Sequence, residues 1–203
     1  YQISKHKNVR SFARASTDEP SVTQLQDVVN NSNPLQLYIG NPNLKQAYGS
    51  RIGFRYSGTN EEKATNFSAN AMVRTTNNFI TTASLLAAKD SVIGNNVVLN
   101  QGSQLRYPVN LNGYLMANGT VTWGLPVRVL RSNLNLSTSA NYAKTPGLIN
   151  YQKNIAQTLG LAQSIGLTSN ISEKIDFNVS FRADVNLVTN SLQPELNNNY
   201  YIQ

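Results

Sequence analysis

The chain has 203 residues, of which only 13% are charged and 29 are asparagine, and its 17 basic and 10 acidic residues give a net charge of +7. Soluble globular domains carry about 25% charged residues, so this chain is polar without being charged, which favours strands and turns over helices. It contains no cysteine and one histidine, which excludes disulfides, zinc–thiolate sites, thiol nucleophiles and sites built from several histidines.

Alternation of apolar and polar residues recurs along the whole chain. It predicts strands, because successive side chains of a strand point to opposite faces. The clearest runs place apolar residues at the odd positions from Val109 to Leu125 and from Ile175 to Leu187. In chain order, the predicted strands cover residues 9–17, 47–58, 65–85, 109–125, 132–143, 157–171 and 175–187.

The length of these runs distinguishes two kinds of β-protein. Strands of globular proteins average about 5–6 residues, whereas a strand that crosses an outer membrane needs about 9–11 residues plus any projection beyond the lipid. Most of the predicted runs exceed both figures. The sequence therefore predicts an all-β fold, namely an antiparallel up-and-down transmembrane β-barrel segment. Residues 1–203 are expected to form this single segment, which supplies about seven or eight long strands of a larger barrel.

The connections between the runs support the same fold. Short connections alternate with longer ones, as they do in up-and-down transmembrane barrels, where tight periplasmic turns alternate with long outer loops. The predicted connections are long at 18–46, short at 59–64, long at 86–108, short at 126–131, medium at 144–156, short at 172–174 and long from about 189.

Aromatic residues fall near both ends of the predicted strands. Two belts of aromatic side chains mark the two membrane interfaces of outer-membrane barrels. The residues near the short turns are Tyr56, Phe67, Trp123 and Phe177, and those toward the long loops are Tyr48, Phe79 and Tyr142.

The charged residues of the clear runs all lie on the polar face, which in a barrel lines the lumen. There they can contact a plug, pair across strands or tune the passage of an anionic solute, and the first two roles are favoured. The weaker run at 9–17 places Arg10 and Arg14 on one face with Phe12. The lumen-facing candidates are Arg51, Arg55, Arg74, Asp176, Arg182 and Asp184, and the candidates for ligand binding in the loops are Tyr38, Asn41 and Tyr107.

Neither an enzyme nor a cofactor or metal site is expected. Asp176 and Asp184 share a face but lie about 26 Å apart along a strand, which is too far for a catalytic carboxylate pair. Nucleophile-elbow and phosphate-binding glycine motifs are absent, as is the dense spacing of oxygen ligands that calcium requires. The basic residues are scattered, so no nucleic-acid partner is expected.

Several segments resemble known outer-membrane proteins. Residues 19–25, 33–35 and 40–45 are similar to a region of TonB-dependent outer-membrane receptors, in which a strand ends in Pro-Ser-x-x-(Glu/Gln)-Leu and the next opens with Gly-Asn-Pro-x-Leu-Lys-Pro-Glu. Here Gln46 and Ala47 replace the final Pro-Glu. Residues 108–113 and 191–197 resemble late segments of the Bacteroidetes-type outer-membrane barrel proteins of that superfamily.

The resemblance implies a function that the residues alone do not. It implies a barrel in the outer membrane of a Gram-negative bacterium that imports a bulky solute of the siderophore, glycan or peptide class. The implied partners are outer-membrane lipid and a TonB-type energy-coupling complex, which acts through a plug domain not recognisable in this chain. The substrate is left open.

Two alternatives remain at this point. One is a passive porin-like or structural outer-membrane barrel, and the other is a soluble all-β adhesin or capsid-like sandwich. A sandwich differs from a barrel in having a second protein layer over the apolar face of the sheet. The exposure of Leu115, Ile165 and Val179 therefore discriminates between the two folds.

Overall fold

The computed structural model describes residues 2–4, 6–93, 97–172, 175–194 and 197–202, without the side chains of 2–3, 170–172, 175–176 and 197–200. Within these residues the chain forms one short helix, α1 (Val22–Leu25), and a 3-10 turn at Arg128–Leu130. The strands are β1 (Gln2–Ser4), β2 (Lys7–Asp18), β3 (Val29–Asn30), β4 (Gln36–Ile39), β5 (Ala47–Asn60), β6 (Thr65–Asn77), β7 (Phe79–Leu86), β8 (Ser91–Ile93), β9 (Val97–Leu99), β10 (Gln104–Leu111), β11 (Tyr114–Val127), β12 (Ser132–Ile149), β13 (Gln152–Ser172), β14 (Ile175–Asn190) and β15 (Asn197–Ile202). In the described residues, no helix is long and apolar enough to span a membrane.

Most of the chain belongs to one large sheet. Antiparallel neighbours follow in the order β1, β2, β5, β6, β11, β12, β13, β14 and β15, which is the order of the long strands along the chain. The longest ladder joins β12 to β13 without a break from Ser132 opposite Ser169 to Ile149 opposite Gln152. The all-β fold is confirmed, each of the seven predicted runs is extended, and the runs at 65–85 and 109–125 are each divided in two. Within the described residues the sheet does not close on itself.

The number of strands is larger than the seven or eight predicted, because two long strands are divided. The path of β6 continues into β7 after Asn78, whose φ of 51° breaks the ladder. The path of β10 continues into β11 across Asn112 and Gly113, the latter at φ 106°. Asn78 donates its backbone N–H to Asn112 Oδ1 at 2.7 Å, so the two breaks face each other. The remaining additional strands are short segments of two to six residues.

The medium connection predicted at 144–156 was wrong. β12 and β13 meet in a two-residue turn at Asn150 and Tyr151, with φ values of 48° and 65°. Such a turn suits Asn because its side chain tolerates positive φ. The sequence Thr-Pro-Gly suggested a loop, but Pro146 lies in β12 opposite Ile155, just beyond the last β11–β12 pair at Lys144. Because β11 no longer pairs with β12 at Pro146, the missing N–H of this proline removes no hydrogen bond to β11.

The two faces of the sheet differ in composition and in what covers them. The exposed large apolar side chains of the long strands lie mainly on one face, which we call the apolar face, and the arginines lie on the polar face. On the apolar face Ile165 is 40% exposed and Val179 is 60% exposed, and Leu115 is half-buried. No second layer covers these side chains in the described part of the chain, as a sandwich would require.

Beyond the breaks at Asn78 and Asn112, the long loops fold into a small subdomain that we call the cap. It consists of β3, β4, β7, β8, β9 and β10, with β4 running parallel to β10. Its centre is the hydrophobic cluster of buried residues Leu37, Ala87, Leu99 and Leu105. The tip of the β12–β13 hairpin joins this cap, because Asn150 Oδ1 accepts the backbone N–H of Leu86 at 2.8 Å.

Candidate functional site

Four arginines of β2 and β5 meet on the polar face of the sheet. The ladder places Arg10 directly opposite Arg55 and Arg14 directly opposite Arg51. Directly opposed residues of an antiparallel pair project from the same face, and like charges in such positions destabilise the sheet. We call these four residues the arginine patch.

An aromatic ring occupies the centre of the arginine patch. Phe12 lies between the two arginine pairs and opposite Gly53, where an added Cβ would lie 2.4 Å from the ring. The ring therefore lies across β5 in space that only glycine leaves open. The guanidinium carbons of Arg14 and Arg51 lie 6.0 and 5.9 Å from the ring centre, which is at the limit of cation–π contact. The ring can orient these guanidiniums, but it does not neutralise them.

The arginine patch has no acidic partner among the described residues. The ion pairs that the described residues form lie outside the arginine patch, and they join His6 to Glu61, Arg74 to Asp18, and Arg182 to Asp184. Arg74 lies opposite Arg51 on the next strand, so it extends the row, but its Nη2 is 3.0 Å from Asp18 Oδ2. The predicted candidates Arg51, Arg55 and Arg74 are thus brought together, and only Arg74 is paired.

The other predicted polar-face candidates lie elsewhere. Arg182 and Asp184 on β14 form a bidentate pair with each other, with both N–O distances at 2.7 Å. Four neighbouring-strand spacings of about 4.8 Å separate β14 from β6, so this pair is separate from the arginine patch. Asp176 lies in β14, but its side chain is outside the described residues.

Between these two charged regions the polar face of β11, β12 and β13 is uncharged and consists mostly of Asn, Ser, Thr, Gly and Ala, with Met116 among them. Asn66 covers Gly124 on β11, where a Cβ would lie 2.2 Å from Asn66 Oδ1, and Asn186 approaches Gly160 on β13 in the same way. A recess of about 410 Å³ adjoins the arginine patch, and Arg10, Arg55 and Asn118 contribute to its lining. Asn118 Oδ1 is buried and has no hydrogen-bond partner.

The three loop candidates take part in the structure of the cap. Tyr38 lies in β4 and pairs with Arg106 of β10. Asn41 donates from Nδ2 to the carbonyl of Pro108 at 3.1 Å and accepts the N–H of Asn43 at 3.0 Å. Tyr107 packs against the hydrophobic cluster of the cap, and this burial, with a smaller effect of Tyr151, raises the pKa of its hydroxyl. Their predicted role in ligand binding stays a prediction.

The residues that carry the family resemblance have structural roles. Ser21 caps α1 and forms a capping box with Gln24, whose carbonyl accepts the N–H of Asn41 at 2.7 Å. Gly40 lies so close to this helix end that a Cβ would be 2.1 Å from the carbonyl oxygen of Gln26. Asn110 joins the loop to the sheet with three hydrogen bonds of 2.8 Å, two to the backbone of Lys45 and one to the carbonyl of Asn78.

The aromatic belts are formed in part. Phe67 lies directly opposite Trp123 on the apolar face, and Tyr56 contacts Phe67 with ring centres 5.8 Å apart. Phe79 differs from the prediction, because its ring stacks on Tyr114 at 4.3 Å and Tyr114 shares the polar face with Thr76. Within the described residues no group of three or more histidine or acidic residues could hold a metal ion.

Sequence reasoning did not count Arg10, Phe12 and Arg14 among the candidate site residues. Their alternation was visible in the weak run at 9–17, but their importance depends on the register of β2 against β5. That register is set by how the two strands pair, and it cannot be predicted from the sequence of either strand alone.

A large antiparallel sheet with an exposed apolar face and long strands defines the class of integral β-sheet membrane proteins. The chain belongs to the outer membrane protein β-barrel family, which it matches over residues 1–202. This membership places it in the outer membrane of a Gram-negative bacterium. A search of curated proteins found no match.

Proposed function

We propose that the chain supplies part of the wall of a closed transmembrane barrel that imports a bulky solute with energy from a TonB-type complex. In this arrangement the apolar face contacts lipid and the polar face, with the arginine patch, lines the lumen. The observation that carries the proposal is the exposed apolar face, which extends across the six neighbouring long strands β5, β6, β11, β12, β13 and β14. Backbone pairing between these strands lets them cross hydrocarbon without unsatisfied polar groups.

The dimensions of the strands agree with this arrangement. The 14 residues of β11 extend about 46 Å at about 3.3 Å per residue, or about 33 Å of depth at a tilt of 45°. This exceeds the apolar band of about 25 Å, so β7, β10 and the rest of the cap project beyond the lipid. Because the cap is built from the longer loops, which lie on the outer side of such barrels, we assign it to the outer surface.

Two pairs of polar side chains on the apolar face are hydrogen-bonded across neighbouring strands, which supports contact with lipid. Thr138 Oγ1 donates to Gln163 Oε1 at 2.6 Å, and the Tyr142 hydroxyl donates to Gln157 Oε1 at 2.9 Å. An unpaired polar group would be costly in hydrocarbon. On a face exposed to water such hydrogen bonds would stabilise the sheet less, because water can bond the same groups.

Energy coupling is the part of the proposal that rests on the family resemblance. Solute accumulation by the parent bacterium tests it. Deleting the gene of the full-length protein should abolish accumulation of its solute, and inactivating the TonB-type complex should do the same. Accumulation that persists without the complex but requires the protein would identify a passive porin-like barrel. Retention of the full-length protein in the membrane fraction checks both experiments.

A further inference from the structure

We infer that the arginine patch is a binding site for solutes that carry at least two anionic groups, carboxylates or phosphates. The inference rests on the proposed function for the view that the polar face lines the lumen, and it names the class of solute that this lumen recognises. It starts from an arrangement that costs stability. Arg10 opposite Arg55 and Arg14 opposite Arg51 place like charges in directly opposed positions, which destabilises a sheet.

The donors of the arginine patch are free in the described structure. Each guanidinium carries five N–H donors in a planar fork that suits carboxylate and phosphate oxygens. None of the four arginines has a carboxylate within ion-pair distance among the described residues. By contrast, Arg74 and Arg182 on the same face have acidic partners. The patch is therefore the part of the polar face where positive charge is left uncompensated.

Phe12 lies beside two of these four charges without neutralising them. Its ring approaches the guanidiniums of Arg14 and Arg51, and it is held over β5 by the absence of a side chain at Gly53. An aromatic face restrains a guanidinium without using its in-plane donors. A carboxylate in the same place would have neutralised the patch, so the contact favours a site that keeps its charge for a ligand.

The spacing indicates more than one anionic group. Arg10 and Arg14 are four residues apart, or about 13 Å along the strand, while opposed strands are about 4.8 Å apart. One carboxylate or phosphate group bridges a single pair, so engaging both pairs needs at least two such groups, toward which the long arginine side chains can converge. A solute with two or more anionic groups can occupy both pairs, and the recess that Arg10 and Arg55 help to line offers room for the rest of it.

Equilibrium binding to the full-length protein in detergent tests the inference. The probes are tripolyphosphate, trigalacturonate and, as the uncharged control, maltotriose, measured by isothermal titration calorimetry. The variants R10Q/R55Q and R14Q/R51Q each remove one pair. The matched control K63Q/R128Q removes two positive charges from exposed turns. Each pair variant should lose at least about 10-fold in affinity for an anionic probe, and the control variant should lose less than about twofold.

Thermal unfolding separates a binding site from a structural one. Removing opposed like charges should leave the melting temperature unchanged or raise it, and Arg55→Glu, which can pair with Arg10, should raise it while abolishing binding. A lower melting temperature in both pair variants would show that an acidic segment of the protein already occupies the patch, and would overturn the inference. Equal loss in the control variant, or failure of both anionic probes to bind the unsubstituted protein, would overturn it as well.

The two anionic probes distinguish the chemistry within the inference. Binding of tripolyphosphate alone indicates phosphate-bearing solutes, and binding of trigalacturonate alone indicates carboxylate-bearing ones. Because binding at equilibrium requires no energy source, its loss counts against this inference only. Solute accumulation that is independent of the TonB-type complex, with anion binding intact, counts against the proposed function only.

Discussion

Replacing Leu37 by alanine should destabilise the cap while leaving the large sheet intact. Leu37 is 1% exposed and lies at the centre of the cap's hydrophobic cluster. Leu→Ala substitutions at buried sites cost about 3–5 kcal/mol, which combines lost transfer free energy with the cavity left behind. The cluster contains few other buried side chains, so we expect about 3 kcal/mol and little compensation by repacking.

Hydrogen exchange of the full-length protein in detergent measures this effect locally. A loss of about 3 kcal/mol in the free energy of local opening corresponds to a more than 100-fold increase in the exchange rate of the amides in β4 and β10. Amides of the β12–β13 ladder should keep their protection, because their bonds do not depend on the cluster.

The matched control lies two residues away. Leu35 is 72% exposed, so Leu35→Ala should change the opening free energy by less than about 0.5 kcal/mol. Equal exchange in β4 and β10 of the two variants would refute the view that the buried cluster holds the cap together. Loss of protection throughout the sheet in Leu37→Ala would show instead that cap and sheet unfold as one unit.

Three further perturbations have defined outcomes. Gly53→Ala should lower the melting temperature by displacing the ring of Phe12, at a cost of about 1 kcal/mol, and the loss should vanish in the Phe12→Ala background; equal losses in both backgrounds would contradict the contact. Asn110→Ala should cost about 1–2 kcal/mol and accelerate proteolysis within residues 40–46, because three hydrogen bonds are lost; unchanged cleavage would count against it. Since burial raises the pKa of Tyr107, its phenol stays protonated above the pH at which it ionises in the unfolded chain, so cap stability should fall as pH rises past about 10. Tyr107→Phe should reduce that fall, as measured by exchange of β10, and an identical fall in both proteins would contradict it.

The strands were predictable because apolar and polar residues alternate along the sequence with a period of two. The run predicted at 175–187 corresponds to β14 (Ile175–Asn190), and the run at 47–58 to β5 (Ala47–Asn60). A period of two specifies the side-chain faces of a strand whatever its partner is. The end of β12 was predicted too early, because Pro146 and Gly147 suggested a loop. A proline at an unpaired strand edge and a proline in a turn cannot be distinguished from the local sequence.

The cap and the arginine patch could not be predicted in the same way, because both depend on contacts between distant segments. Leu37, Leu99 and Leu105 come from two different long loops, and neither loop shows the periodicity of a regular element. Arg10 and Arg55 become neighbours only through the register of two strands. Local alternation gave the correct face for each arginine, but it could not show which arginines oppose one another.

The wide sequence separation of the cap's contacts has a consequence for the order of assembly. The hydrogen bond from Asn41 to Pro108 spans 67 residues and that from Ser103 to Pro34 spans 69, whereas the β12–β13 hairpin closes through two residues. Closing a long loop costs more entropy than closing a short one, and hairpin formation is correspondingly faster. The hairpins should therefore form first during biogenesis, and the cap should mature last, once the two long loops that build it have been brought together by the completed sheet.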